Sequence, residues 1–204
     1  MRIWAVVGLL FVCIPFCALP VKAEDELQDD AKNDPWSVTL YAGPATNKYA
    51  GAIIQSGLNY HPTAFAIGLD VDRRLIYLGG DLWIGWDAQG AQYLFGHEDL
   101  AYGTGLGFLV NDPFGWRNTK FSIYDGPSWD ADPPYTSVGY KGKVYPAARQ
   151  RFLNYVSIDF AVQLPRAEKW DGVFQIYHRS GMFGIYSIED DESTIVGFGI
   201  RRRF

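Results

Sequence analysis

Cysteine is nearly absent. The 204 residues hold two, Cys13 and Cys17, both near the N-terminus, which excludes a disulfide-stapled scaffold. No His/Cys spacing suits a metal centre, so neither a metal nor another cofactor is expected. A basic excess is missing too: 18 Lys and Arg face 23 Asp and Glu, for a net charge of −5, which argues against a nucleic-acid partner. Glycine follows no three-residue period and Ala, Glu, Lys and Leu do not dominate, which excludes collagen and a coiled coil. After the first 23 residues no run of about 18 apolar residues occurs, so no transmembrane helix is expected there. Aromatics, in contrast, are abundant: 7 Trp, 13 Tyr and 13 Phe make up 16% of the chain, which excludes disorder. Two classes survive, a soluble all-β domain and a membrane β-barrel.

The N-terminus sets the compartment. Arg2 supplies a positive start, an apolar stretch runs from Ile3 to about Leu19, and Val21-Lys22-Ala23 provides the short residues of a cleavage site. This predicts a secretory signal peptide over 1–23. A retained anchor is the competing reading, disfavoured by the shortness of the run and by Pro15. Neither cysteine sits in a lipoprotein cleavage pattern. Cleavage after Ala23 removes Arg2 and Lys22 but no acid, taking the charge from −5 to −7 and the cysteine count to zero. Residues 24–35 are acidic and aperiodic, as a flexible leader would be, and 36–204 forms the folded domain.

From there the period is two. Phe65, Ile67, Leu69 and Val71 share one face. So do Ile76, Leu78, Leu82, Ile84 and Trp86; Tyr102, Leu106, Phe108 and Val110; and Phe152, Val156, Ile158, Phe160 and Val162. Each alternates with small or polar residues, the strand signature. A soluble sandwich shows the same alternation, but two details favour a barrel. The second face is rich in Gly and Ala and includes Asp81 and Asp159, as suits a narrow lumen. Trp36, Trp83, Trp86, Trp116 and Trp170 fall at strand ends, as interfacial girdles do. Weaker strands at 36–43, 118–125, 170–180 and 192–204 bring the total to eight. The predicted fold is an eight-stranded antiparallel up-and-down transmembrane β-barrel. Its connections alternate: long at 44–61, 87–99, 126–150 and 181–191, short at 72–74, 111–117 and 165–169, as extracellular loops and periplasmic turns do in a bacterial outer membrane. Phe204 ends the last strand, beside Arg201, Arg202 and Arg203, which read as headgroup contacts at the periplasmic interface.

The chemistry falls in the last hairpin. Phe174, Ile176, His178 and Ser180 share the lipid-facing side of strand seven, at its outer end. Glu192 shares parity with Thr194, Val196 and Phe198 on strand eight. A serine, a histidine and a carboxylate therefore meet on the outer wall. Serine becomes a nucleophile when a base takes its proton; histidine is that base, and a carboxylate fixes its tautomer. A lipid substrate would explain polar groups on such a face.

The pair His178-x-Ser180, followed by Glu192 before a terminal aromatic strand, resembles the lipid A 3-O-deacylase family over residues 170–204. The resemblance implies a serine esterase that hydrolyses an ester-linked acyl chain of lipid A in the outer leaflet, with lipopolysaccharide and the membrane as its partners. It implies Ser180 as nucleophile, His178 as base and Glu192 as orienter. The family commonly has Asn after the serine, implicated in the oxyanion hole; here Gly181 stands there, and its backbone N–H is a candidate substitute.

Other readings stay open. Glu189 or Asp190 would replace Glu192 if the register shifts, and the cluster Glu189 to Glu192 could bind a divalent cation bridging phosphates. His97 falls in an outer loop and His61 precedes Pro62 at a loop end. The glycines at 103, 105 and 107 follow strand period rather than forming a phosphate loop. A non-catalytic barrel with a structural or ligand-binding role, and a soluble periplasmic sandwich, are the alternative functional classes. Whether the barrel forms a homodimer is not fixed by the sequence.

Overall fold

The computed structural model describes residues 35–46, 64–95, 100–130, 136–138, 144–146, 152–180 and 193–204. The expected signal peptide and nearly all of the acidic leader lie outside the described residues. Ten strands follow in chain order: β1 (Trp36–Thr46), β2 (Ala64–Gly79), β3 (Leu82–Phe95), β4 (Leu100–Asn111), β5 (Thr119–Asp130), β6 (Thr136–Val138), β7 (Val144–Pro146), β8 (Phe152–Leu164), β9 (Ala167–Ser180) and β10 (Ser193–Arg203). Eight of them form a closed barrel in which each pairs antiparallel with its chain neighbour and β1 pairs with β10. The short β6 and β7 pair only with each other, inside the connection between β5 and β8. The fold is an eight-stranded up-and-down β-barrel.

The wall is inverted relative to a soluble protein. Its exposed outer face carries Leu40, Ile67, Leu69, Leu106, Phe108, Phe198 and Ile200. The buried interior carries Thr39, Asp70, Asp87, Gln89, Ser157, Asp159, Gln175, Arg179 and Arg201 among five tyrosines, Tyr41, Tyr93, Tyr124, Tyr155 and Tyr177. Apolar outside and polar inside is the arrangement of a barrel made for lipid. Interior side chains fill the lumen in linked groups. Arg179 pairs with Asp130 at 2.6 Å near the end where β9 finishes. Arg201 lies 2.5 Å from Asp159 and 3.6 Å from both Asp70 and Asp72. Lys120 and Arg203 share Asp171 toward the chain termini. Between these groups the Tyr41 hydroxyl donates to Gln89, Gln175 donates to Gln89 and Ser157, and the Tyr155 hydroxyl donates to Asp87. Small residues make room for the rings: a Cβ at Gly103 would stand 2.9 Å from Tyr155.

The pairing register fixes the tilt. Starting at Trp36 and stepping across paired residues gives Arg73, Trp86, Leu106, Asp125, Val156, His178, Thr194 and then Thr46, ten residues further along β1. A shear of ten on eight strands, with ordinary strand spacings, sets a tilt of about 41° and a radius of roughly 8 Å.

Aromatic residues ring both ends. At the end holding the termini, Trp36 meets Trp86 edge-on at 6.3 Å under the Arg73 guanidinium, and Trp116 meets Phe160 at 6.2 Å. Trp170 and Phe204 flank the Arg202 guanidinium. At the opposite end Tyr102 stacks on Trp129 at 6.3 Å. Arg202 thus takes the interfacial role expected of the terminal arginines. Arg201 does not: it is buried in the lumen, donating to Thr39 and Asp159, because odd positions of β10 face inward with Gly197 and Gly199.

Several expected boundaries move. The turn expected at 72–74 lies at Gly80–Asp81, where φ is 57° and 66°. Positive φ at both central residues is what a type I′ hairpin requires, and glycine meets it without strain. Asp81 is therefore an exposed turn residue and not a lumen residue. Trp83 does not belong to the girdle; it points inward, packed with Leu109 and Tyr124. The connection expected over 87–99 shrinks to 96–99, because β3 continues through Gln89 and Ala91 to Phe95, and the large one begins after Asp130 rather than at 126. The long and short connections still segregate to opposite ends, apart from this shortened one.

Candidate functional site on the outer wall

Burial along β9 alternates strictly from Asp171 to Ser180, odd residues inward and even residues outward. Phe174, Ile176, His178 and Ser180 therefore climb the outer wall in that order, as the sequence predicts. Below the histidine the wall is apolar: Phe174 packs on Phe198 of β10 with centroids 5.3 Å apart. At His178 the chemistry changes.

His178 lies directly across from Thr194 on β10, and its Nδ1 is 2.8 Å from the Thr194 hydroxyl oxygen. Nδ1 is the nitrogen that an orienting group holds in a hydrolytic triad, leaving Nε2 for the nucleophile. Thr194 faces Thr46 of β1, and both threonines are buried although their parity turns them outward. On the other side of β9, Ser180 lies directly across from Asn154 of β8. The Asn154 amide donates to the Asp125 carboxylate of β5 at 2.7 Å. Asp125 is itself on the outer face, between Ile123 and Pro127. A polar belt thus crosses five strands of a largely apolar wall: Asp125, Asn154, Ser180, His178, Thr194 and Thr46.

His178 and Ser180 are brought onto one face, two residues apart. Glu192 and Gly181 lie outside the described residues, as do Glu189, Asp190, Asp191, His61 and His97. Four members of the belt escape the sequence reading, Thr46 because it falls in the expected connection 44–61. Thr194 has the right parity but reads as a strand former. Asp125 falls at the predicted end of its strand, although it alternates with Phe121 and Ile123. Asn154 shares parity with Val156 and Ile158, and an outward amide there is the signal that would have found it. Polar residues on the lipid-facing parity of neighbouring strand ends are the general signature.

No protein-family model matches the sequence, and no curated protein matches it. Among solved structures the chain resembles the outer membrane enzyme PagL, with a TM-score of 0.54 at 11% identity over 82% of this chain and 99% of that one. It also resembles Neisserial surface protein A, with a TM-score of 0.46 at 13% identity, covering 83% of this chain and 97% of that one. A third is Ail, the attachment invasion locus protein of Yersinia pestis, with a TM-score of 0.43 at 11% identity, covering 84% and 99%. The likeness to PagL establishes a shared fold, that of an eight-stranded outer-membrane barrel.

Proposed function

We propose that this chain is a serine esterase of the bacterial outer membrane that hydrolyses an ester-linked acyl chain of lipid A. One observation carries the reading: His178 and Ser180 share the lipid-facing wall, with His178 Nδ1 already held by a hydrogen bond. Polar groups facing hydrocarbon are costly, less so near the interface, and a substrate that itself lies in the leaflet gives them a use. The fold shared with the outer membrane enzyme PagL and the family resemblance over 170–204 support the same assignment.

In this mechanism the Ser180 hydroxyl attacks the acyl carbonyl while His178 Nε2 takes its proton. The tetrahedral intermediate collapses, the sugar oxygen leaves, and it receives that proton from His178. Water, activated by the same imidazole, then releases the fatty acid from Ser180. Thr194 holds the ring from the Nδ1 side, and Glu192, two residues before it on the same parity, stabilises the imidazolium.

The test is mass spectrometry of lipid A from membranes carrying the protein. Loss of one hydroxyacyl chain is expected with wild type, and unchanged lipid A with Ser180→Ala. Product that persists in Ser180→Ala would remove the serine from its role. A second reading is a barrel without catalysis, favoured by Gly181 where the family has Asn; unchanged lipid A around a correctly folded wild-type barrel would select it.

A further inference from the structure

We propose that the Asn154 side chain supplies an oxyanion donor for this site, oriented by Asp125; the proposal rests on the esterase reading above. Acyl transfer calls for an oxyanion donor, and Gly181, which follows the serine, has no side chain to supply one. Asn154 is the direct cross-strand partner of Ser180, on the same outer face. Side chains so placed have Cβ atoms about 4.5–5.5 Å apart. An acyl carbonyl attacked by the Ser180 oxygen then has its own oxygen within reach of the Asn154 amide.

The amide is also fixed in advance. One Nδ2 hydrogen goes to the Asp125 carboxylate at 2.7 Å, across the strand pair β5–β8. Among the described residues the other contact of that nitrogen, to the Tyr155 carbonyl, is at 3.5 Å, the outer limit of a hydrogen bond. The second hydrogen is therefore free for a stronger acceptor. Asn154 is 6% exposed, so little water competes for it. A donor held rigidly in a dry site stabilises developing charge without reorganising.

The Ser180 oxygen bonds to the acyl carbon as its proton moves to His178. The carbonyl π pair moves onto the acyl oxygen, which becomes the oxyanion and accepts from Asn154 Nδ2. Re-formation of the carbonyl expels the sugar oxygen, which takes the proton from His178. Asn154 touches the reacting oxygen and is a catalytic residue; Asp125 acts through it and is a positioning residue.

The experiment measures kcat and KM for lipid A deacylation in mixed detergent micelles, with folding followed by heat-modifiable gel migration. Asn154→Leu suits the lipid-facing wall and removes the donor; Asn154→Ala is the second variant should the first not fold. Either is expected to lower kcat by about 10²–10³-fold with KM changed less than about threefold, as for loss of one oxyanion donor. Asp125→Ala is expected to lower kcat about tenfold and Asp125→Asn to restore it, since the amide oxygen still accepts from Asn154. A folded Asn154 variant with wild-type kcat overturns the proposal and leaves the esterase reading standing. A folded wild type without deacylation, or full activity in Ser180→Ala, overturns that reading and this proposal with it.

Discussion

His178 depends on a neighbour that sequence spacing alone does not single out. Its Nδ1 meets the Thr194 hydroxyl, because antiparallel pairing puts those two residues face to face. Thr194→Val keeps the shape of the side chain and deletes the hydroxyl. The loss of a hydrogen bond of about 1–1.5 kcal/mol should lower kcat roughly tenfold, with KM little changed and activity restored in Thr194→Ser. Steady-state kinetics of the two variants check this; wild-type kcat in the valine variant would show that the ring is held by another group. At this scale the sequence was informative where parity is local. His178, Ser180, Phe174 and Ile176 fall on the outer face because two-residue alternation needs no knowledge of the partner strand. Asn154 and Asp125 join the site through register between strands far apart in sequence, and periodicity within one strand does not report that.

The elements of the barrel show the same division. The segment 72–74, which reads as a turn, is paired strand that runs into a β-bulge at Leu75. The apolar parity is odd through Val71 and even from Ile76, and a change of parity looks like a change of strand. The pairing shows the register shift between Arg74 and Ile76, with β2 continuing to Gly79. An extra residue in one strand flips every side chain after it, which produces that pattern without a turn. The end of β3 was hidden for a different reason: its outward residues, Ala88, Gly90 and Gln92, carry little apolar signal, while buried Asp87, Gln89, Ala91 and Tyr93 keep the strand in the wall. Interior pairing also sets element stability. Arg201 on β10 binds strands β2 and β8 together through Asp70, Asp72 and Asp159. Arg201→Met should cost about 3–5 kcal/mol, because it leaves buried carboxylates facing one another. Asp70 is the weakest partner; both its carboxylate oxygens are buried and accept no hydrogen bond among the described residues. Asp70→Asn should therefore stabilise, by about 1 kcal/mol. Urea unfolding midpoints of the folded barrel in detergent would rank these variants, and a destabilised Asp70→Asn would show that its charge is needed.

For the whole molecule, the inverted wall makes a clear physical demand. Exposed Leu40, Leu69, Leu106 and Phe198 have no place in water at that density, and the aromatic collars mark where the apolar band stops. The protein is expected to stay with membranes through carbonate and high salt, to need detergent for extraction, and to run on gels as a faster band until boiled. Release by carbonate alone would contradict the membrane reading. The overall architecture was the most legible part of the sequence, because alternation recurs from strand to strand and tolerates local error. Lumen contents were less legible: the three terminal arginines looked equivalent, and only inward parity, shared with Gly197 and Gly199, separates Arg201 and Arg203 from Arg202.

The shear of ten has a consequence for how such a chain can change. The circuit from Trp36 to Thr46 closes only if the strands between them keep their lengths relative to one another. Substitutions on the wall leave that circuit intact. A one-residue deletion within a strand exchanges its lipid-facing and lumen-facing sets. A two-residue deletion restores the parity but lowers the shear, narrowing a lumen already filled by Arg201, Tyr155 and their partners. Length variation is therefore expected in the connections, such as 47–63, 96–99, 131–151 and 181–192, while the wall between them can diverge in identity with its frame unchanged.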